Sequence, residues 1–145
     1  MTLTGAPDPF AALVREFELE RLQVRQMLAL AGEEHRDLVA GETARLDDIS
    51  AEKLAQLRTL ELYTARRSAL LAAQGFTADP SGLAACAAAA GRRGRRLAGA
   101  WRRLADAYAE LRELNDENSA LLRGRLAELD ASGLSLTSLT GPEPE

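Results

Sequence analysis

The chain predicts an all-α fold: an elongated antiparallel helical bundle or coiled coil of three long helices, plus a short Ala-rich helix and a mobile C-terminal tail. Three observations carry that expectation. The first is a 3.5-residue repeat from Leu97 to Leu129. It passes through Leu97, Trp101, Leu104, Tyr108, Leu111, Asn115, Asn118, Leu122, Arg125 and Leu129, more than four heptads. A repeat of this period belongs to a helix whose seam faces another long helix. The second is composition. Apolar residues make up 46% of the 145, aromatics only 4%, so the interfaces are thin and lined with Ala and Leu. The third is the sparseness of Val, Ile and Thr, which counts against a sheet.

The first helix is expected over residues 8–40. Asp8 can cap it, and Pro9 at the first helical position gives up only a donor that would be orphaned there anyway. Its apolar stripe runs Phe10, Leu13, Val14, Phe17, Val24, Met27, Leu28 and Ala31. A turn or kink is expected around Val39–Gly41, with hairpin and bend both open. The second helix is expected over 42–74, with Leu46, Ile49, Leu57, Leu60, Tyr63, Leu70 and Leu71 on one side. Gly75 stands where a left-handed cap belongs, and Phe76 beyond it can fold back. Asp79-Pro80 repeats the start signal and opens a short helix over 80–90. Gly91 and Gly94 loosen the chain before the third long helix, over 92–130. At 1.5 Å per residue that helix is roughly 50 Å long, so the others must lie alongside it. Residues 131–145 hold too few apolar side chains for a buried helical face and form the expected tail. All of this makes one domain.

Several functions are disfavoured. The net charge of −4 gives no general attraction to nucleic acid or anionic membranes. No window approaches a membrane span, and no secretory signal is read in Met1–Pro9. With one cysteine there is no internal disulfide, so a cytoplasmic protein is expected. No catalytic, metal-binding or cofactor-binding residues are assigned, and no enzyme is expected. His35 is the sole histidine and reads as an exposed helix residue. It lacks the Glu-x-x-His pattern of bundle metal sites. Cys86 lies among alanines and reads as a small apolar residue. Gly91-Arg92-Arg93-Gly94 lacks the spacing and ending of a P-loop.

Two features invite a binding role. Arg92, Arg93, Arg95, Arg96, Arg102 and Arg103 fall within twelve residues that contain no acid. They read either as a solvated face partly neutralised by neighbouring helices, or as a docking patch for an acidic protein, centred on Arg92, Arg93, Arg95 and Arg96. Nucleic acid fits less well, because the sole interleaved aromatic, Trp101, is on the seam. Asn115 and Asn118 also occupy the seam. They read either as register-fixing polar residues or as the place where the seam opens, their amides holding another protein's backbone. A dry, sealed Asn118 predicts that Asn118→Leu raises thermal stability.

The spacing from Leu97 onward resembles the FlgN family of bacterial flagellar export chaperones. The matching string is Leu97, Trp101, Leu104, Leu111-Arg112, Leu114-Asn115, Asn118 and Leu121-Leu122, with Leu-Asn-x-x-Asn its most recognisable piece. The second helix is similar at Lys53, Leu57, Leu60, Arg67, Leu70-Leu71 and Gly75, as is the Gly41-Glu42 step into it. The likeness covers roughly residues 10–139. One departure is Ser119, where the family usually has Gly, so the helix is expected to run straighter there. The tail also lacks an aromatic residue, so no docking role of such a residue carries over.

The resemblance implies a cytoplasmic chaperone for hook-filament junction (hook-associated) proteins. It would keep their terminal helices apart and deliver them to the export apparatus. The client contacts implied are Leu122, Leu126, Leu129, Leu134, Leu136 and Leu139, beside Asn115 and Asn118. The competing reading from the heptads alone is a self-associating coiled-coil scaffold.

Overall fold

The computed structural model describes residues 8–131. It consists of α1 (Pro9–Ala40), α2 (Leu46–Ala73), α3 (Pro80–Ala89), a 3-10 turn (Gly91–Arg93) and α4 (Gly94–Ala131). Among the described residues there is no strand. The expected mobile tail, with Leu134, Leu136 and Leu139, lies outside them.

Helix α1 begins as its sequence dictates. The Asp8 carboxylate accepts from the Phe10 amide at 3.0 Å, with Pro9 in the first turn. It ends at Gly41, whose φ of 75° places it in the left-handed region. There the Gly41 amide donates to the Leu38 carbonyl at 3.2 Å, and the Glu42 amide to that of Asp37 at 2.9 Å. This paired closure stops the helix outright. The open question at Gly41 is thus answered by a hairpin, and α2 returns antiparallel to α1. The second helix does not start at Glu42. Residues 42–45 are spent on the reversal, where the Leu46 amide donates to the Thr43 carbonyl. Asp47 and Asp48 then lie in the first turn of α2, favourable at its positive end.

At its far end, α2 closes on Gly75 with the same pairing. Gly75 donates to Ala72 and Phe76 to Leu71, both at 2.9 Å. Phe76 packs back on the core. Asp79 caps α3 by accepting from the Gly82 amide at 2.7 Å. Gly91, with φ of 63°, then turns the chain so that α3 doubles back on α4. Gly94 makes that fit possible. A Cβ there would lie 2.0 Å from the Ala87 carbonyl oxygen, so a side chain would force the two helices apart.

The first and third long helices run parallel. Asp8 meets Arg93, Glu20 meets Tyr108, Ala31 meets Asn118 and Leu38 meets Arg125, at sequence separations of 85, 88, 87 and 87. A nearly constant separation can arise only from two rods side by side in one direction. The bundle is therefore up-down-up, with α2 antiparallel to both. Its core is Leu13, Phe17, Val24 and Met27 of α1 against Leu97, Leu104 and Leu111 of α4, with Leu60 and Leu71 of α2 and Leu83 and Cys86 of α3. Not all of the expected α2 face is inside. Leu57 is 42% exposed, as is its neighbour Leu54 at 51%. Both line a groove that holds α2 apart from α4.

Candidate partner-binding face

Along α4 the seam changes character three times. Leu97, Leu104 and Leu111 are buried, and Trp101 tilts against Phe17 with ring centroids 5.6 Å apart. Tyr108 then joins a polar crossing inside this apolar stretch. Glu20 of α1 is wholly buried and takes a forked pair of hydrogen bonds from Arg67 of α2, Nε at 2.8 Å and Nη2 at 3.1 Å. Tyr108 and Thr64 also donate to Glu20 Oε2. The Arg67 guanidinium lies 5.3 Å from the centre of the Trp101 ring. Burial works against the Arg67 charge, yet Glu20 beside it holds the guanidinium above its ordinary pKa. Burial and the bond to Glu20 push the Tyr108 phenol up to about 12. This crossing joins all three long helices.

Sequence reasoning missed it. The signal was Glu20 itself, a carboxylate three residues after Phe17 and four before Val24, in the middle of an apolar stripe. A charge there needs a buried partner.

One helical step past Leu111 the seam turns into amides. Asn118 is buried, and its Nδ2 donates to the Ala31 carbonyl at 2.9 Å and to Glu34 Oε1 at 2.8 Å. Its Oδ1 lies 2.9 Å from His35 Nδ1, which therefore carries the proton in that contact. Lys53 of α2 donates to Glu34 at 2.8 Å and to Asn115 Oδ1 at 3.1 Å. The expectation of an exposed, idle His35 is corrected: the ring is half-buried and tied to α4. The Asn118 amide holds this chain's own α1. The site is sealed but hydrogen-bonded, which removes the ground for expecting Asn118→Leu to stabilise.

Beyond Asn118 the edge opens. Leu122, Leu126 and Leu129 are 45%, 55% and 45% exposed. Arg125, between them on the seam, reaches across to α1 and caps it, donating to the Leu38 carbonyl at 2.8 Å. The helix continues through Ser119 to Ala131 without a break. On the α2 side, the groove lined by Leu54, Leu57, Leu111, Arg112 and Asn115 has a volume of about 540 Å³, with Met27 and Leu60 also at its wall. Asn115 and Leu122 are seven residues apart, so they share one face of α4 and the groove points toward the exposed leucines.

The arginine run lies at the other end of the rod. All six side chains are exposed. Arg93 pairs with Asp8 and covers the Phe10 ring at 4.9 Å. Among the described residues the other five make no ion pair. Cys86 is buried, and desolvation raises its thiol pKa. Among the described residues no group of three or more His, Cys, Asp or Glu is placed to hold a metal ion, and no helix is long and apolar enough to cross a membrane.

These features define an elongated helical bundle, pinned by two polar crossings and carrying a half-open apolar edge. The sequence matches the family model described as FlgN protein over residues 9–141, and the chain belongs to the FlgN family. It is thus a flagellum-related protein. The fold is similar to that of a solved flagella synthesis protein FlgN from Pseudomonas aeruginosa. The two chains are 22% identical with a TM-score of 0.69, the match covering 81% of this chain and 90% of that one. No curated protein matches the sequence.

Proposed function

We propose that this protein is a cytoplasmic export chaperone of the flagellum. It holds a C-terminal helical segment of hook-filament junction (hook-associated) proteins and presents them to the export apparatus. Family membership supports the setting. The observation that carries the binding role is the thinner cover along α4 beyond Asn118, where Arg125 still reaches α1 but Leu122 and Leu126 are 45% and 55% exposed. An amphipathic helix laid on such an edge buries its anchors at about 25 cal/mol per Å² of apolar surface. Leu129 and, beyond the described residues, Leu134, Leu136 and Leu139 extend the same apolar series. Asn118 is left out of this contact set, since its amide is spent on α1.

Co-purification with a tagged hook-associated protein tests the reading. Full-length protein should retain the client, and Leu122→Ser/Leu126→Ser should lose most of it while keeping its helical content. Full client yield with a chain ending at Asp130 would remove the tail from the interface. Full yield with the double variant as well would end the proposal. The open groove at Leu54 and Leu57 supports a second reading, a self-associating scaffold. Light scattering separates the two: a stable client-free oligomer that Leu54→Ser/Leu57→Ser dissolves would favour the scaffold.

A further inference from the structure

The arginine end of the rod carries a second, independent feature. Phe10, Ala11 and Val14 of α1 line a cleft of about 440 Å³ together with Asp8, Arg15, Glu18, Arg93 and Arg96. Arg93 is committed to Asp8 and the Phe10 ring. Arg15 and Arg96 are exposed and make no ion pair among the described residues. Arg92, Arg95, Arg102 and Arg103 add exposed positive charge elsewhere on the same end of the rod. Arg93 serves the fold through its contacts with Asp8 and Phe10, but Arg15 and Arg96 make no ion pair among the described residues that would offset their placement. Cations in the first turn of α4 oppose its dipole, and like charges crowd one another in a chain whose net charge is −4. Local choices that cost stability without a compensating contact mark function.

We propose that this cleft binds an acidic peptide segment of another protein. One bulky apolar side chain of that segment rests on Ala11 and the uncovered edge of Phe10, and its carboxylates meet Arg15 and Arg96. The concave apolar floor favours a side chain over a flat lipid surface. A cleft of this size encloses one side chain and lacks the long continuous groove in which a nucleic-acid backbone is tracked. The cleft is separated from Leu122 by the length of α4 between Arg96 and that residue, about 40 Å. The segment bound here is therefore distinct from a helix on the leucine edge, and both can be held at once.

Fluorescence anisotropy on the full-length protein tests the proposal. The probe is a labelled peptide of about a dozen residues, Asp and Glu with one central Phe, long enough to span the cleft. Comparison probes are the same peptide with Ser for Phe, an oligothymidylate of similar length, and vesicles of phosphatidylserine and phosphatidylcholine. The Phe peptide should bind at low ionic strength and weaken as salt rises. Affinity should fall by at least about tenfold in Arg15→Glu/Arg96→Glu, and by a similar factor for the Ser peptide. Both arginines are exposed, so the variant should melt like the parent, and Leu122→Ser/Leu126→Ser should bind the peptide normally. Four outcomes would overturn the proposal: no binding, equal binding of the Ser peptide, tighter binding of the oligonucleotide or vesicles, or no loss in the arginine variant. Peptide binding that appears only after residues 1–7 are removed would assign the cleft to the chain's own N-terminus and overturn it too.

Discussion

Two of the polar crossings between α1 and α4, at Glu20 and at Asn118, resemble each other but do different work. At Glu20 a wholly buried carboxyl group lies within the span of the apolar core, and Arg67, Tyr108 and Thr64 converge on it. At Asn118 a neutral amide meets the carbonyl of buried Ala31 and the half-buried side chains of Glu34 and His35. The first lies within the core and the second where the core stops. A register shift near Glu20 would strand a charge in apolar surroundings. A shift near Asn118 would expose groups that water can reach. The bundle is therefore held firmly at one crossing and loosely at the other, and the loose one borders the exposed leucines.

Breaking the first crossing should cost most. Arg67→Met leaves Glu20 buried without its cation and should lower unfolding free energy by about 3–5 kcal/mol in urea titrations. Asn118→Leu should cost less, about 1–3 kcal/mol, because the half-buried His35 and Glu34 side chains it leaves behind are partly rehydrated. A raised melting temperature for that variant would show the second crossing to be dispensable. Gly41→Ala should cost about 1–2 kcal/mol through its positive φ. Its new Cβ would also lie 3.2 Å from Arg125 Nη2, disturbing the cap on α1.

Alkaline pH offers a gentler probe of the Glu20 crossing. The Tyr108 phenol has a folded pKa of about 12 against an ordinary 10.0. Its contribution is therefore complete below pH 10 and is lost as pH rises toward 12. In Tyr108→Phe this part of the alkaline decline should vanish, read as the difference between the two melting-temperature profiles. The smallest effect belongs to the open edge: Leu126→Ser should change stability by no more than about 0.5 kcal/mol, since more than half of that residue is already in water.

What was legible in the chain was local. Asp8-Pro9, Asp79-Pro80 and Gly75-Phe76 each carry their structure within a few residues, so caps and turns could be read directly. The buried half of the α4 seam followed from periodicity. The Glu20–Arg67–Tyr108 crossing did not, because its members come from three helices and only their packing brings them together. The same is true of His35, placed among charges in sequence and against Asn118 in space. Leu57 looked like a core residue because periodicity marks a face without saying whether a neighbour comes close enough to cover it. The start of α2 at Leu46 was missed because Arg45 stands at its cap position without a side-chain cap bond and the Gly41 closure consumes residues 42–45.

The parallel pairing of α1 and α4 has a kinetic corollary. Helices α1 and α2 meet across a few residues, whereas each α1–α4 contact closes a loop of more than eighty. The α1–α2 pair can form early, and α4 is the strip laid down last. It should also peel in order: the Arg125 cap releases first, then the Asn118 amides, and only afterwards the charged crossing at Tyr108. Amide hydrogen exchange along α4 should then slow in steps from Ala131 toward Leu97. Such a graded zipper lets its far end lift and resettle many times while the near end never opens.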